Sequence, residues 1–273
     1  MSNYIKLSNG LNIPVIGFGT YKTGSEEETI IAVKEALNNG YRQIDTASFY
    51  KNEVGIGKAI KESNVPREEI FLVSKVWNDD QGYENTIKSF NESLKRLDTD
   101  YLDLYLVHWP TKLNNETWKA LETLYKEGKI KSIGVCNFKE NHLEDLIKNA
   151  EIMPMVNQIE IHPKRTQKDM VSYCQSKNIQ VIAWGPLSRG RVLSEPIMIE
   201  LANKYNKDIG QIILRWHIQN NIIPIPKSSN PHRIKSNIDI FDFELTDEDM
   251  IKIDSLNNDE LISNCPKGSI YFE

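Results

Sequence analysis

Short apolar runs and helix-periodic stretches alternate along this chain with a regularity that leaves few architectures open. Apolar strands are read at Val15 to Thr20 and at about 42–45, 70–75, 102–107, 131–135, 155–160, 179–184 and 222–225. Helical periodicity falls between them, at about 26–39, 53–63, 84–97, 115–127, 140–149, 167–177, 209–220 and 231–237. Strand, helix, strand repeated in this way needs parallel strands joined by helical crossovers. The strand tally reaches eight, so the expected fold is α/β, a closed (β/α)8 TIM barrel. Such barrels commonly need about 250 residues, and the chain is read as one domain, 1–273.

Before the first barrel strand, Leu7-Ser8-Asn9-Gly10-Leu11 reads as a β-hairpin that closes the bottom of the barrel. An Asn-Gly pair between apolar residues suits a tight turn with both central residues at positive φ. Gly17 and Gly19 in the first strand let backbone approach a ligand or mark a bend or tight packing. Thr246-Asp247-Glu248-Asp249 opens a last helix as an N-cap followed by acids, and these and Glu26-Glu27-Glu28 read as solvated first turns. The long excursions run from Trp109 to Asn115 and from Pro186 to Pro196.

In a parallel barrel the chemistry sits where the strands end. Ile44 closes a short apolar run, which puts Asp45 at a strand end and Tyr50 on the loop beyond. Phe71-Leu72-Val73-Ser74 runs into Lys75, and Tyr101 to Val107 runs into His108. Taken singly, each has a plain alternative: Asp45 as a turn cap, Tyr50 as a packing residue, Lys75 as a surface cation, His108 as a core histidine. Four such groups at successive strand ends point instead to one acid–base site. A tyrosine serves as an acid near neutrality if a nearby ammonium pulls its phenol below the usual value of about 10. Lys75 is expected to do so, with Asp45 keeping it charged. His108 donates to a carbonyl oxygen or passes a proton to Tyr50.

These residues, with Gly40-Tyr41-Arg42, Asn52-Glu53, His108-Trp109-Pro110, Gly134-Val135-Cys136-Asn137-Phe138 and Ile225-Pro226-Lys227-Ser228, make the chain similar to the aldo-keto reductases. Trp77-Asn78-Asp79-Asp80-Gln81-Gly82-Tyr83 resembles the short prokaryotic branch, which reduces dicarbonyls and keto-sugars. The resemblance implies NADPH-dependent reduction of small aldehydes, dicarbonyls such as methylglyoxal, or keto-sugars, by a monomer, with Asp45, Tyr50, Lys75 and His108 as the catalytic group.

The resemblance also implies that Asn137 and Gln158 hold the nicotinamide carboxamide and that Trp184 stacks on the ring. Gly19, Thr20, Gly185 and Leu187 line the rest of the cofactor channel, and Lys227, Ser228, Ser229, Arg233 and Asn237 take the adenosine end. Lys227 and Arg233 flank a helix start whose N–H groups favour an anion, which suits a 2′-phosphate and so NADPH over NADH. There is no Gly-x-Gly-x-x-Gly opening a helix after the first strand, so the Rossmann solution is not used. Three positions depart from the family's pattern: Cys136 where serine is common, Trp184 where tyrosine usually stacks, and Ser236 where glutamate is frequent. Tyr21, Phe49, Trp77 and Trp109, just past strand ends, read as substrate-pocket walls.

A net charge of −5 argues against a nucleic-acid partner, and no apolar run approaches the length a membrane helix needs. Met1-Ser2-Asn3-Tyr4-Ile5-Lys6 lacks an apolar signal core. Cys136, Cys174 and Cys265 suggest neither disulfides nor zinc, and His142, His162, His217 and His232 lack ligand spacing, so no metal is expected and a cytoplasmic setting fits. Two rival readings use the same barrel: an NADPH-binding redox sensor with negligible turnover, and a non-redox barrel enzyme.

Overall fold

The computed structural model describes residues 3–272. Met1, Ser2 and Glu273 lie outside the described residues, and with them part of the segment expected to carry no leader.

Strands β1 (Tyr4–Lys6) and β2 (Asn12–Pro14) form the antiparallel hairpin. Its turn differs from expectation: Gly10 has φ +88°, but Asn9 is not at positive φ. Gly10 N–H donates to Leu7 O and Leu7 N–H to Leu11 O, each at 2.8 Å. That is a three-residue loop with glycine alone in the left-handed region, and the Asn9 side chain is thereby free to cap Leu11 N–H and reach Lys131 O. Leu7 and Ile13 from the hairpin join Phe71, Val73, Leu104, Leu106, Val156, Ile182 and Ile223 in one interior cluster, so the hairpin plugs the barrel floor.

Eight strands follow in sequence order: β3 (Phe18–Gly19), β4 (Gln43–Asp45), β5 (Phe71–Val76), β6 (Leu104–Val107), β7 (Ile133–Cys136), β8 (Val156–Glu160), β9 (Gln180–Trp184) and β10 (Ile223–Pro224). Every neighbouring pair is parallel. The seam between first and last is closed by Gly17 N–H to Pro224 O and Gly19 N–H to Pro226 O, both 3.0 Å. A Cβ on Gly19 would stand 2.7 Å from Ile225 O, so that glycine serves tight packing at the seam.

Helices α1 (Glu26–Asn38), α2 (Glu53–Lys61), α3 (Tyr83–Leu97), α4 (Asn114–Lys126), α5 (Glu140–Asn149) and α6 (Lys168–Ser176) cover the first strands. Between β9 and β10 stand two helices, α7 (Pro196–Tyr205) and α8 (Ile209–Gln219), and the sequence reading passes over the first. Then come α9 (Pro231–Ile238) and α10 (Asp247–Asp254). Ser25 and Glu28 form a capping box on α1, and Thr246 caps α10 through Asp249 N–H. Asp249 itself is buried rather than solvated: Lys204 and Tyr205 bond to it and tie α10 to α7.

A strand alternates its faces, so residues two apart share one face. Phe71, Val73 and Lys75 therefore point inward while Leu72 and Val76 meet the helices. Leu104, Leu106 and His108 follow the same parity, as do Gln43 with Asp45 and Val156 with Gln158. The apolar floor ends one layer below a polar rim, and that rim is the upper layer of the barrel's own stack.

Candidate active site

The β4 end and the turn after it are held by polar side chains. Thr46 donates to Asn52 Oδ1, Asn52 Nδ2 donates to Thr20 O, and Ser48 Oγ donates to Lys75 O. Glu53, at the start of α2, accepts from Ser74, Ser93 and Arg96, which bolts the turn to β5 and α3. Tyr50, expected on a loop, instead ends a single 3-10 turn, Ser48–Tyr50, with its N–H on Ala47 O at 3.0 Å, between these anchored residues.

The expected quartet comes together. Lys75 is fully buried, and its ammonium donates to Asp45 Oδ1 at 2.5 Å, Thr46 O at 2.7 Å and Tyr50 Oη at 3.4 Å. All three donors are committed, so the charge has one orientation. Asp45 Oδ2 accepts from Gln158 Nε2 at 2.8 Å, and both carboxylate oxygens are therefore satisfied. The Tyr50 and His108 rings meet edge-on with centroids 5.7 Å apart. Lys75 does not itself line the cavity, and it acts there only through Asp45 and Tyr50.

The electrostatics differ from expectation at Tyr50. Burial pushes its phenol up to about 12, and the Lys75 ammonium offsets only part of that. Tyr50 is therefore held as the neutral, protonated acid. Burial also works against the charge on Lys75, but Asp45 and Tyr50 outweigh it and keep the ammonium above its ordinary value. His108 lies well below the usual histidine range, first through burial and then through Lys75, so the imidazole is neutral. Burial raises the Cys136 thiol, which leaves an unreactive group on the cavity floor.

These groups open into a cavity of about 550 Å³. Its lining includes Tyr21, Phe49, Trp77 and Trp109, as the sequence suggests, and Phe49 stacks on Trp77 with centroids 3.8 Å apart. Trp109 is steadied from behind, because Gln81 Nε2 donates to its carbonyl and Thr111 donates to Gln81. Gly19, Thr20, Asn137, Gln158, Trp184, Gly185, Leu187 and Lys227 line the same cavity. Ser228, Ser229, Arg233 and Asn237 are outside that lining, on α9 and its approach.

Two details bear on a dinucleotide. Trp184 Nε1 donates to Asn137 Oδ1 at 2.8 Å, and Asn137 Nδ2 donates to His108 O at 3.0 Å, so the indole N–H sets the amide's orientation. That polar bond is gained by tryptophan at this position. At α9 the anion site is narrower than expected, since Pro231 has no N–H and Asn230 Oδ1 already takes Arg233 N–H. Side-chain cations, Lys227 above all, carry the positive charge there. The Asn137 and Gln158 amides, the half-buried Trp184 indole and the Lys227 ammonium line one continuous cleft, a set of groups whose chemistry fits a nicotinamide dinucleotide.

The sequence reading did not assign Lys22, Arg189 or the C-terminal residues Ile262, Ser263, Asn264 and Pro266, all of which line the cavity. Unusual backbone is the shared signal at the first two, with φ of +60° at Lys22 and +50° at Arg189, and no local pattern reveals it.

The family model for the aldo/keto reductase family matches residues 15–258. The chain is 54% identical over 272 residues to a glyoxal reductase of Bacillus subtilis, covering 99% of each. It is 42% identical over 267 residues to the methylglyoxal reductase DkgA of Escherichia coli, covering 96% of each. Among solved structures, a Bombyx mori aldo-keto reductase in complex with NADP superposes with a TM-score of 0.92 at 38% identity, covering 96% of this chain and 94% of that one. An aldo/keto reductase from Brucella melitensis gives 0.90 at 49% identity, covering 93% and 98%.

Proposed function

Because the chain belongs to the aldo/keto reductase family, and is an oxidoreductase acting on carbonyl groups with a nicotinamide cofactor, we propose that it reduces small aldehydes and dicarbonyls with NADPH, and that Tyr50 is the general acid. The observation that carries this reading is the Lys75 ammonium pinned between Asp45 and Tyr50 Oη.

The bound cofactor supplies the hydride. Tyr50 Oη accepts from Lys75, so its own proton is free to point into the cavity and go to the substrate oxygen as charge develops there. His108, neutral, offers one N–H to the same oxygen and so orients the carbonyl. Lys75 cannot rotate away, since Asp45 and Thr46 O hold it. The proton that leaves Tyr50 leaves a phenolate beside an ammonium, which stabilises the charge until water restores the phenol. Asn137 and Gln158 would hold the carboxamide, and Trp184 would cover the ring. Lys227 with Arg233 favours the doubly charged 2′-phosphate.

Tyr21, Phe49, Trp77 and Trp109 give the cavity an aromatic wall, which supports small carbonyls such as glyoxal and methylglyoxal. Those are also the substrates in the names of two relatives. All of these side chains come from one chain, so a monomer suffices. The free Cys136, Cys174 and Cys265 suit a reducing cytoplasm.

Tyr50→Phe decides the assignment. NADPH oxidation with methylglyoxal, followed by absorbance, should fall by about 10³-fold or more, while quenching of tryptophan fluorescence by NADPH persists. A variant that keeps most of the rate removes Tyr50 as the acid. A wild-type protein that binds NADPH but turns over no carbonyl favours the redox-sensor reading.

A further inference from the structure

The chain after α10 has no regular secondary structure, yet it supplies Ile262, Ser263, Asn264 and Pro266 to the cavity wall. Its attachments are few and unevenly placed. Asn258 N–H and Glu260 N–H both donate to Lys164 O, Asn257 Oδ1 accepts from Thr166 N–H, and Glu260 pairs with Arg191 at 2.6 Å. The next firm attachment is Ile262 N–H to Glu160 Oε1 at 2.9 Å, and after it Ile270 N–H to Pro110 O at 2.9 Å. Residues 263–268 cross the mouth between those last two.

Glu160 is a buried carboxylate that the reduction does not use. Strand parity places it inward on β8, one layer above Gln158, at the level where a side chain would face the ligand. It turns instead to the C-terminal segment. His162 Nε2 lies 3.2 Å from the same Oε1, and Gln167 Nε2 holds Glu160's own carbonyl at 2.5 Å. Glu160 Oε2 has no partner among the described residues, so the carboxylate's one committed oxygen serves the segment and His162 together.

The side chain delivered by that bond has a seat. Ile262 is buried, and a Cβ on Gly185 would stand 2.5 Å from Ile262 Cδ1. Gly185, at φ +65°, directly follows Trp184, so the missing side chain makes room for the isoleucine next to the indole. One carboxylate therefore fixes the N–H of Ile262 while one glycine receives its side chain.

We propose that Glu160 is a positioning residue for carbonyl reduction: it pegs Ile262 onto Gly185 and so sets the C-terminal segment as a wall of the cavity into which substrate must bind. It touches neither substrate nor cofactor, and it acts on substrate binding through the segment. The assignment rests on the carbonyl-reductase reading for its kinetic consequence, but the peg itself can be read without turnover.

The test compares Glu160→Ala, Glu160→Gln and Ile262→Ala with methylglyoxal as substrate. Glu160→Ala should raise KM about tenfold, a loss of about 1.4 kcal/mol, with a much smaller change in kcat and in NADPH affinity measured by fluorescence quenching. Glu160→Gln keeps an oxygen acceptor for Ile262 N–H and should restore KM to within about threefold of wild type. Ile262→Ala should raise KM in the same way, and the double variant Glu160→Ala/Ile262→Ala should be no worse than the worse single one, because both break one contact. Amide exchange adds a readout free of catalysis: in Glu160→Ala, residues 258–264 should exchange faster while α10 is unchanged. Unaltered KM and unaltered exchange at 258–264 overturn the proposal. A uniform rise in exchange with a fall in kcat and NADPH affinity also overturns it, since that is a fold-wide effect. Should the wild type fail to reduce methylglyoxal, the substrate reading falls while the exchange result still decides the peg.

Discussion

The cavity has two kinds of wall. On the side of β4 and β5, Asp45 and Lys75 are sealed in the barrel, and every donor of the ammonium and both carboxylate oxygens are bonded. On the opposite side, Ile262 to Pro266 belong to a segment attached at a handful of points. The first wall shares its contacts with the core, so damage there spreads into folding. The second shares fewer contacts with the core, so substitutions there are expected to disturb folding less. A densely bonded group of ionisable side chains faces a sparsely attached wall, a division that a barrel with its site on loops allows.

The sharpest way to break this comparison is at Lys75. Lys75→Met should lower kcat by about 10²- to 10³-fold, because Tyr50 loses the cation that stabilises its phenolate. It also strands Asp45 as a buried, half-paired charge, which should cost about 3–5 kcal/mol and lower Tm by roughly 10 °C. Asp45→Asn/Lys75→Met removes both charges, and calorimetry should show Tm recovering while kcat stays low. Recovery of both together would mean that the pair is only structural.

Lys227 tests the adenosine end. Lys227→Met should weaken NADPH binding about tenfold and leave NADH nearly unaffected, read as the ratio of the two KM values. Equal weakening of both cofactors would place Lys227 on a part of the dinucleotide that the two share. Of smaller effect is Phe49→Ala. Phe49 is 42% exposed and stacked on Trp77, so its loss should cost about 1 kcal/mol of stability and change KM for methylglyoxal by a fewfold, with kcat nearly intact.

The two walls were unequally legible in the sequence. Asp45, Lys75 and His108 are legible as residues at or next to the ends of apolar strands whose alternate residues form the barrel interior, while Gln158, inside its strand, is legible only through the family resemblance. The hairpin plug is legible from its Asn9-Gly10 pair between apolar residues, although the turn uses one left-handed residue where that pair predicts two. Pattern could not reveal Glu160's hold on Ile262, a contact across 102 residues that depends on one carboxylate and one N–H. The helix at Pro196–Tyr205 is hidden in the sequence because its apolar start, Pro196-Ile197-Met198-Ile199, has no helical period. Pro196 at its first turn and left-handed Asn206 at its end were the available signals. The Tyr50 phenol was expected below its ordinary value because its partner was visible and its desolvation was not.

That last difference leads to the smallest predicted effect, the shape of the pH profile of reduction. A titrating group limits the rate only across the pH at which it changes form. Tyr50 is pushed up to about 12, so its proton-bearing form is nearly complete at every pH up to about 11, and raising pH from 6 to 9 removes none of the acid. His108 is held well below 6.5, so it stays neutral over the same span and adds no step near 6.5. kcat for methylglyoxal should therefore vary by less than about twofold between pH 6 and 9, measured at saturating NADPH and substrate. With Tyr50 as the proposed acid, the reverse oxidation needs it as the base, and its rate should climb with pH through that window, by about tenfold per unit if proton removal from Tyr50 limits it. A step in reduction near pH 6.5 would show that His108 carries charge in the working enzyme. A fall between 7 and 9 would show that Lys75 outweighs burial once the cavity is filled, which would move the tuning of the acid from the densely bonded wall to the ligands that complete it.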